Sequence, residues 1–207
     1  MANKTKGINK EGIMKLCSEI AKKEGEGTVY SLGSKNGVLR IPRWSTGLPD
    51  LDAIIGGGIP KGRTIEIFGA ESAGKTTLAY QFCAQHEMCL DIPIEGTFDA
   101  NRARLFGNTP KQMLVYRARY GEKAFNRAIR FAEEGIPMIV IDSVPSMQPK
   151  DDIDKIRKAV NTDSEQEMRI GGVARLMDKY LPTLEDVIEQ TGTLRRSYGA
   201  KRCHCEE

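Results

Sequence analysis

One eight-residue run constrains this chain more than any other: Gly69-Ala70-Glu71-Ser72-Ala73-Gly74-Lys75-Thr76. It has the form G-x-x-x-x-G-K-[ST], a loop that works as the bend between a strand and a helix. Both flanks fit, since Thr64–Phe68 reads as a short strand and Thr77–Ala84 as a helix with an apolar stripe. Gly69 and Gly74 lack a Cβ, so the backbone can wrap a phosphate with its N–H groups at the helix N-terminus, where the dipole also favours negative charge. In such a loop Lys75 reaches the terminal phosphates of a nucleotide, and the Thr76 hydroxyl is the expected magnesium ligand.

The rest of the composition is permissive. A chain of 207 residues, 40% apolar and 29% charged, accommodates one well-buried domain with a small appendage. No apolar run approaches the roughly 20 residues needed to cross a bilayer. The start, Met-Ala-Asn-Lys-Thr-Lys-Gly, lacks the apolar core of a secretory signal, so the expected location is cytoplasmic and away from membranes. Five irregularly spaced cysteines fit a reducing compartment. A net charge of +3 is too small to argue by itself for a nucleic-acid partner.

Residues 10–23 place Ile13, Met14, Leu16, Cys17 and Ile20 on one helical face opposite Lys and Glu, and Glu24-Gly25-Glu26-Gly27 makes a polar break after them. From Arg63 onward strand and helix alternate: Met88–Ile92 strand, Arg102–Phe106 short helix, Met113–Tyr116 strand, Glu122–Glu133 helix, Pro137–Asp142 apolar strand. That alternation predicts an α/β fold, a parallel sheet covered by helices on both faces. Lys150–Arg169 is polar and charge-dense and is expected to be an exposed, mobile loop. Gly171 and Gly172 open a helix to about Gln190, which Pro182 is expected to bend.

Two further elements complete a phosphate site. Met138-Ile139-Val140-Ile141-Asp142-Ser143 is an apolar strand ending in an acid, which delivers the Asp142 carboxylate to the sheet's carboxyl edge, where it can hold magnesium beside Thr76. Glu95, just past the strand Met88–Ile92, is an acid at a neighbouring strand end that can polarise an attacking water.

The chain resembles the bacterial RecA recombinase family and its phage-encoded relatives. The resemblance rests on Ser45-Thr46-Gly47-x-x-x-Leu51-Asp52, on Gly56-Gly57-Gly58-Ile59-Pro60-Lys61-Gly62-Arg63, and on the Gly-x-Glu-Ser-x-Gly-Lys-Thr-Thr form of the loop ending at Thr77. It continues through Glu95-x-x-x-Asp99, Val140-Ile141-Asp142-Ser143-Val144 and Gly171-x-x-Ala174-Arg175. What it implies is a P-loop NTPase core that binds ATP and Mg2+, with Glu95 at the catalytic position and Asp99 against adenine. Arg102 stands where the family usually stacks an aromatic on the base. The resemblance makes the helix around Ile13–Ile20 an oligomerisation helix for a head-to-tail filament, with residues 1–34 as that helix and its linker, 35–190 as the ATPase core and 191–207 as an atypical tail. Single-stranded DNA and homologous duplex DNA are the implied partners. Arg169, Gly171, Gly172 and Arg175 are the expected DNA contacts, because in Lys150–Arg169 the basic Lys155, Arg157 and Lys158 are nearly cancelled by acids.

After Gln190 the resemblance stops. Where the family continues with an apolar strand, this chain reads Thr191-Gly192-Thr193-Leu194-Arg195-Arg196-Ser197-Tyr198 and onward through Cys203-His204-Cys205, whose spacing does not suit zinc. The expectation is an incomplete C-terminal half, with a gap between the strand before the phosphate loop and the Asp142 strand, marginal stability, and a tail that reads as out-of-frame translation. Two readings follow: an ATP-dependent, single-stranded-DNA-binding recombinase, or a truncated nucleotide-binding fragment without strand exchange or hydrolysis.

Overall fold

The computed structural model describes residues 8–25, 28–29, 41–96, 98–162 and 171–200, with 194–200 described as backbone only. It divides into two units, Met1–Ile41 and Pro42–Glu207. In the first, helix α1 (Lys10–Glu24) starts where Asn9 Oδ1 accepts the Gly12 amide at 3.0 Å, and Lys22 and Lys23 in its last turn complement the dipole. No residue of α1 is buried, and Ile13, Met14 and Leu16 stand exposed on its apolar face.

The second unit opens with a small antiparallel pair, β1 (Arg43–Trp44) and β2 (Ile59–Pro60), linked through helix α2 (Pro49–Ile54). Here the glycine run has a steric purpose: a Cβ on Gly58, at φ +108°, would collide with the Trp44 carbonyl oxygen. The Asp52 carboxylate ties the same turn together, accepting Ser45 Oγ at 2.7 Å and the Thr46 amide at 2.9 Å. Hydrogen bonds from Thr46 and then Ser45 hold that carboxyl below its usual value.

The core that follows runs β3 (Thr64–Gly69), α3 (Lys75–Cys83), β4 (Cys89–Pro93), α4 (Ala100–Leu105), β5 (Met113–Val115), α5 (Gly121–Glu133), β6 (Met138–Asp142), a 3-10 turn (Val144–Ser146), α6 (Lys150–Thr162), α7 (Gly172–Thr191) and β7 (Leu194–Ala200). The five long strands form one parallel sheet in the order β3-β7-β6-β4-β5. Alternation along β4 and β6 sends Leu90, Ile92, Ile139 and Ile141 to one face and Cys89, Met138 and Val140 to the other. The first set packs on α5 and α7, where Ala124, Ala128 and Ala132 permit close approach and Phe125 stacks on Tyr180 at 5.6 Å. The second packs on α3 and α4 through Ala79, Tyr80, Phe82, Cys83 and Ala103. Each fully buried large side chain contributes roughly 1.5–3 kcal/mol, so both layers matter to stability. Helices on both faces of a parallel sheet are the architecture that the alternation predicts.

Three features differ from expectation. Element ends move by one or two residues, α3 beginning at Lys75 rather than Thr77 and α4 at Ala100 rather than Arg102. The first thirteen residues of the expected mobile loop are helix α6, whose Ile153, Ile156 and Val160 follow a three-then-four helical spacing. Its first turn carries Asp151 and Asp152, and Lys150 donates its amide to Glu122 Oε2 at 3.0 Å, so charge here caps a helix instead of preventing one. Most consequentially, the expected gap in the sheet is filled: β7 pairs with β3 from Thr64↔Arg195 to Gly69↔Ala200 and with β6 from Met138↔Leu194 to Ile141↔Ser197. Parallel ladders are made by backbone groups, so a polar sequence can occupy a position where an apolar run was looked for. Pro182 lies inside α7, which runs unbroken for 20 residues and ends at Gly192 in the left-handed conformation.

Candidate functional site

Because the strands are parallel, their carboxyl ends share one edge, and the chain exits there from β3 into the glycine loop, from β4 towards Glu95 and from β6 at Asp142. The loop residues Gly69, Ala70, Glu71, Ser72, Ala73 and Gly74 bend sharply, with Ser72 at φ 59° and Gly74 at φ 88°. A Cβ on Gly74 would meet nothing within 4 Å, so the space over the loop is open. Helix α3 has no side-chain cap and no acid in its first turn, leaving its N-terminal amides directed at that space. Lys75 Nζ donates to the carbonyl oxygens of Gly69 at 3.2 Å and Ala70 at 2.9 Å, which folds its cation over the loop.

Thr76 Oγ1 donates to Asp142 Oδ2 at 2.7 Å, joining two motifs 66 residues apart. Burial raises the Asp142 carboxyl above its ordinary value; the Thr76 hydrogen bond opposes this, the Glu95 carboxylate adds to it and Lys75 offsets it. A hydroxyl and a carboxylate are hard oxygen donors suited to magnesium, which takes few protein ligands and completes its shell with phosphate oxygens and water. Among the described residues no group of three or more His, Cys, Asp and Glu could hold a metal. Glu95 is fixed from the far side of the same edge: its Oε1 accepts Ser143 Oγ at 2.7 Å and Ser146 Oγ at 3.0 Å. The Ile94 amide reaches the Asp142 carbonyl at 2.6 Å, so backbone pairing carries on to the residue before the acid.

Asp99 caps α4, its Oδ1 accepting the amides of Asn101 at 2.9 Å and Arg102 at 3.0 Å. Arg102, fixed in that first turn, donates Nη2 to Thr77 Oγ1 at 2.5 Å, which brings it to the first turn of α3. That Thr77 lines a cleft of about 420 Å³ together with Gly74, Lys75, Phe68 and Phe106. Thus Lys75, Thr76, Thr77, Glu95, Asp99, Arg102 and Asp142 all gather at the carboxyl edge.

The expected DNA contacts are distributed differently. Arg169 lies outside the described residues. Gly171 caps α7 at φ 81° with open space around it, but a Cβ on Gly172 would meet Asp152 Oδ2 at 2.6 Å. Arg175 lines a cleft of about 190 Å³ together with Glu122, Asp151, Asp152, Lys155 and Lys179. Acids therefore stand among the bases in this cleft. Cys203-His204-Cys205 also lies outside the described residues.

Sequence reasoning passed over Ser143 as a partner of Glu95, Ser146 altogether, and Asp91. The last is a carboxyl 3% exposed in the middle of β4, on the strand face it shares with Cys89. Burial first, and the Asp142 charge second, push its pKa up to about 7. An acid interrupting an apolar strand was the signal that could have found it.

Among the described residues no helix is long and apolar enough to cross a membrane. Residues 11–196 match the family model for the RecA N-terminal domain. Protein RecA of Sulfurimonas denitrificans is 36% identical over 189 residues, covering 88% of this chain and 52% of that protein. Protein RecA of Wolinella succinogenes is 36% identical over 181 residues (84% and 49%), and that of Paracoccus denitrificans 31% over 190 residues (89% and 51%). The chain spans about half the length of the curated relatives it matches. With the glycine loop and the acid-ended strand meeting at one sheet edge and the match running through nearly all of the core, this chain belongs to the RecA family.

Proposed function

We propose that the chain binds ATP with magnesium at the carboxyl edge and acts in homologous recombination and DNA repair as an ATP-dependent, single-stranded-DNA-binding recombinase. The observation that carries the reading is the Thr76–Asp142 hydrogen bond at 2.7 Å, two magnesium-compatible groups brought together from distant motifs with Lys75 beside them. The backbone from Gly69 to Gly74 and the α3 amides cradle the phosphates, Lys75 supplies their full positive charge, and Thr76 with Asp142 holds the metal. Magnesium, when bound, neutralises charge on the phosphate oxygens. Glu95, oriented by Ser143 and Ser146, positions a water and accepts its proton. Asp99 and Arg102 border the base. Helix α1, with Ile13, Met14 and Leu16 exposed, packs on the adjacent protomer of a head-to-tail filament, a heterologous interface that does not close. Single-stranded DNA, and then homologous duplex DNA, meet the filament near Arg169, Gly171, Gly172 and Arg175, and the protein works in the cytoplasm.

The alternative is a nucleotide-binding domain that neither hydrolyses ATP nor exchanges strands. The mixed charge around Arg175 favours it, because a surface with as many acids as bases releases few counterions on binding DNA. Calorimetry with Mg-ATP tests the shared core: wild type binds, and Lys75→Ala loses at least about 100-fold in affinity, in line with removal of a charged partner from a phosphate site. Equal affinities would reject the nucleotide assignment. ATP-promoted binding of labelled single-stranded DNA then separates the two readings, since only the recombinase requires it.

A further inference from the structure

We propose that Arg102 reads the nucleobase and makes this site accept guanine nucleotides at least as well as adenine nucleotides. The inference rests on the nucleotide-binding reading above and concerns the end of the ligand that the phosphate loop does not touch.

Arg102 has a defined place. Asp99 fixes it in the first turn of α4, and its Nη2 donates to Thr77 Oγ1 at 2.5 Å, two residues beyond Lys75. The side chain is exposed at this spot, so its remaining donors are available to a ligand. Thr77, the residue Arg102 holds, lines a cleft of about 420 Å³ together with Gly74, Lys75, Phe68 and Phe106, the last of these one helical turn past Arg102. That volume is within the usual range of a small-molecule site, and its aromatic lining suits a flat ring. We place the base of a nucleotide whose phosphates sit on the loop in this cleft, beside the Thr77 that Arg102 holds.

Donor and acceptor chemistry then sets the preference. A guanidinium has five N–H donors in a rigid fork and no acceptor, and Thr77 uses one of them. Guanine offers O6 and N7 as adjacent acceptors, which match the fork in a bidentate pair; adenine offers N7 beside an amino group that itself donates. Asp99, three residues before Arg102, commits Oδ1 to two backbone amides. Arginine therefore complements the 6-oxo purine at both atoms and the 6-amino purine at one.

The test is direct calorimetry of the full chain with ATP and with GTP, each with magnesium. GTP is expected to bind at least as tightly as ATP. Arg102→Gln, which adds an acceptor, is expected to lower GTP affinity relative to ATP by about fivefold or more, the low end for a bidentate guanidinium–guanine pair. Arg102→Lys, which loses the rigid fork but can still donate to O6 and N7, is expected to fall between the unaltered chain and Arg102→Gln. GTP binding more than tenfold weaker than ATP in the unaltered chain, or a GTP/ATP ratio unmoved by Arg102→Gln, overturns the inference while leaving the ATP site intact. Failure of both nucleotides to bind overturns the site and the inference together.

Discussion

Two regions on the carboxyl side of this sheet use charge in opposite ways. At the carboxyl edge, polar groups from distant segments converge in pairs: Thr76 with Asp142, Ser143 and Ser146 with Glu95, Arg102 with Thr77. Each pair is made by side chains whose geometry the parallel strands fix, and the amides of α3 face open space between them. Where α6 and α7 begin, three acids (Glu122, Asp151, Asp152) and three bases (Lys155, Arg175, Lys179) line one cleft, and the Asp152 carboxylate stands against the start of α7. The first arrangement concentrates hard oxygens and a cation where a charged ligand would complete them. The second balances charge locally. Preorganised electrostatics is worth most where it is directed at one point, and the contrast makes the Thr76–Asp142 corner the site of strong effects and the α6–α7 cleft the site of weak ones.

The largest effect expected from breaking this contrast is on hydrolysis. Glu95→Gln keeps the shape and the hydrogen bonds from Ser143 and Ser146 but removes the basic carboxylate, so steady-state ATP hydrolysis should fall by about 10²–10⁴-fold while ATP affinity changes little. Unchanged turnover would reject Glu95 as the catalytic group.

Next comes a pH dependence beneath the same edge. Folding raises the pKa of Asp91 from 3.8 to about 7, so between these values the native state keeps a proton that the unfolded chain releases. Stability contributed by this group is fully present below about pH 4 and is lost as the pH rises towards 7, and Asp142, also raised, adds to the same slope. The full loss is on the order of 4 kcal/mol as an upper bound. Denaturation measured from pH 4 to pH 8, without nucleotide or magnesium, should show stability falling with pH, and Asp91→Asn should flatten the curve. A wild-type curve that rises through this window, or a variant with the same slope, would show that Asp91 is not a buried acid of this kind.

The smallest effect belongs to the mixed-charge cleft. Arg175→Ala should weaken single-stranded-DNA binding modestly and reduce the slope of log affinity against log salt by about 0.7, the value for one phosphate on a single strand. Tight binding with a steep slope, unaffected by the substitution, would move the DNA surface elsewhere.

What the chain disclosed before its structure follows the same division. The turn from β3 through the glycine loop into α3, and the acid that ends β6, were legible because they lie in short contiguous runs beside strands of recognisable period. The support of Glu95 was not, since Ser143 and Ser146 are 48 and 51 residues away and meet it only when β4 and β6 pair. Helix α6 was obscured because Ile153, Ile156 and Val160 are scattered among charges that capping uses. Strand β7 was missed because its place in the sheet is fixed by backbone pairing, and Leu194-Arg195-Arg196-Ser197 lacks the apolar run by which buried parallel strands are recognised. Asp91 was hidden by the opposite effect, a single acid inside a strand whose other residues fit.

The central claim is that Thr76 and Asp142 form one magnesium-holding unit within a nucleotide site. A double-mutant cycle on ATP affinity, with Thr76→Val, Asp142→Asn and the combination, each measured with magnesium and with EDTA, tests it most directly. The account predicts that with magnesium each single change weakens ATP binding by about tenfold or more and that the double change costs much less than the sum, a coupling of at least about 1 kcal/mol that vanishes in EDTA. Losses that add independently and are the same with and without magnesium would contradict it.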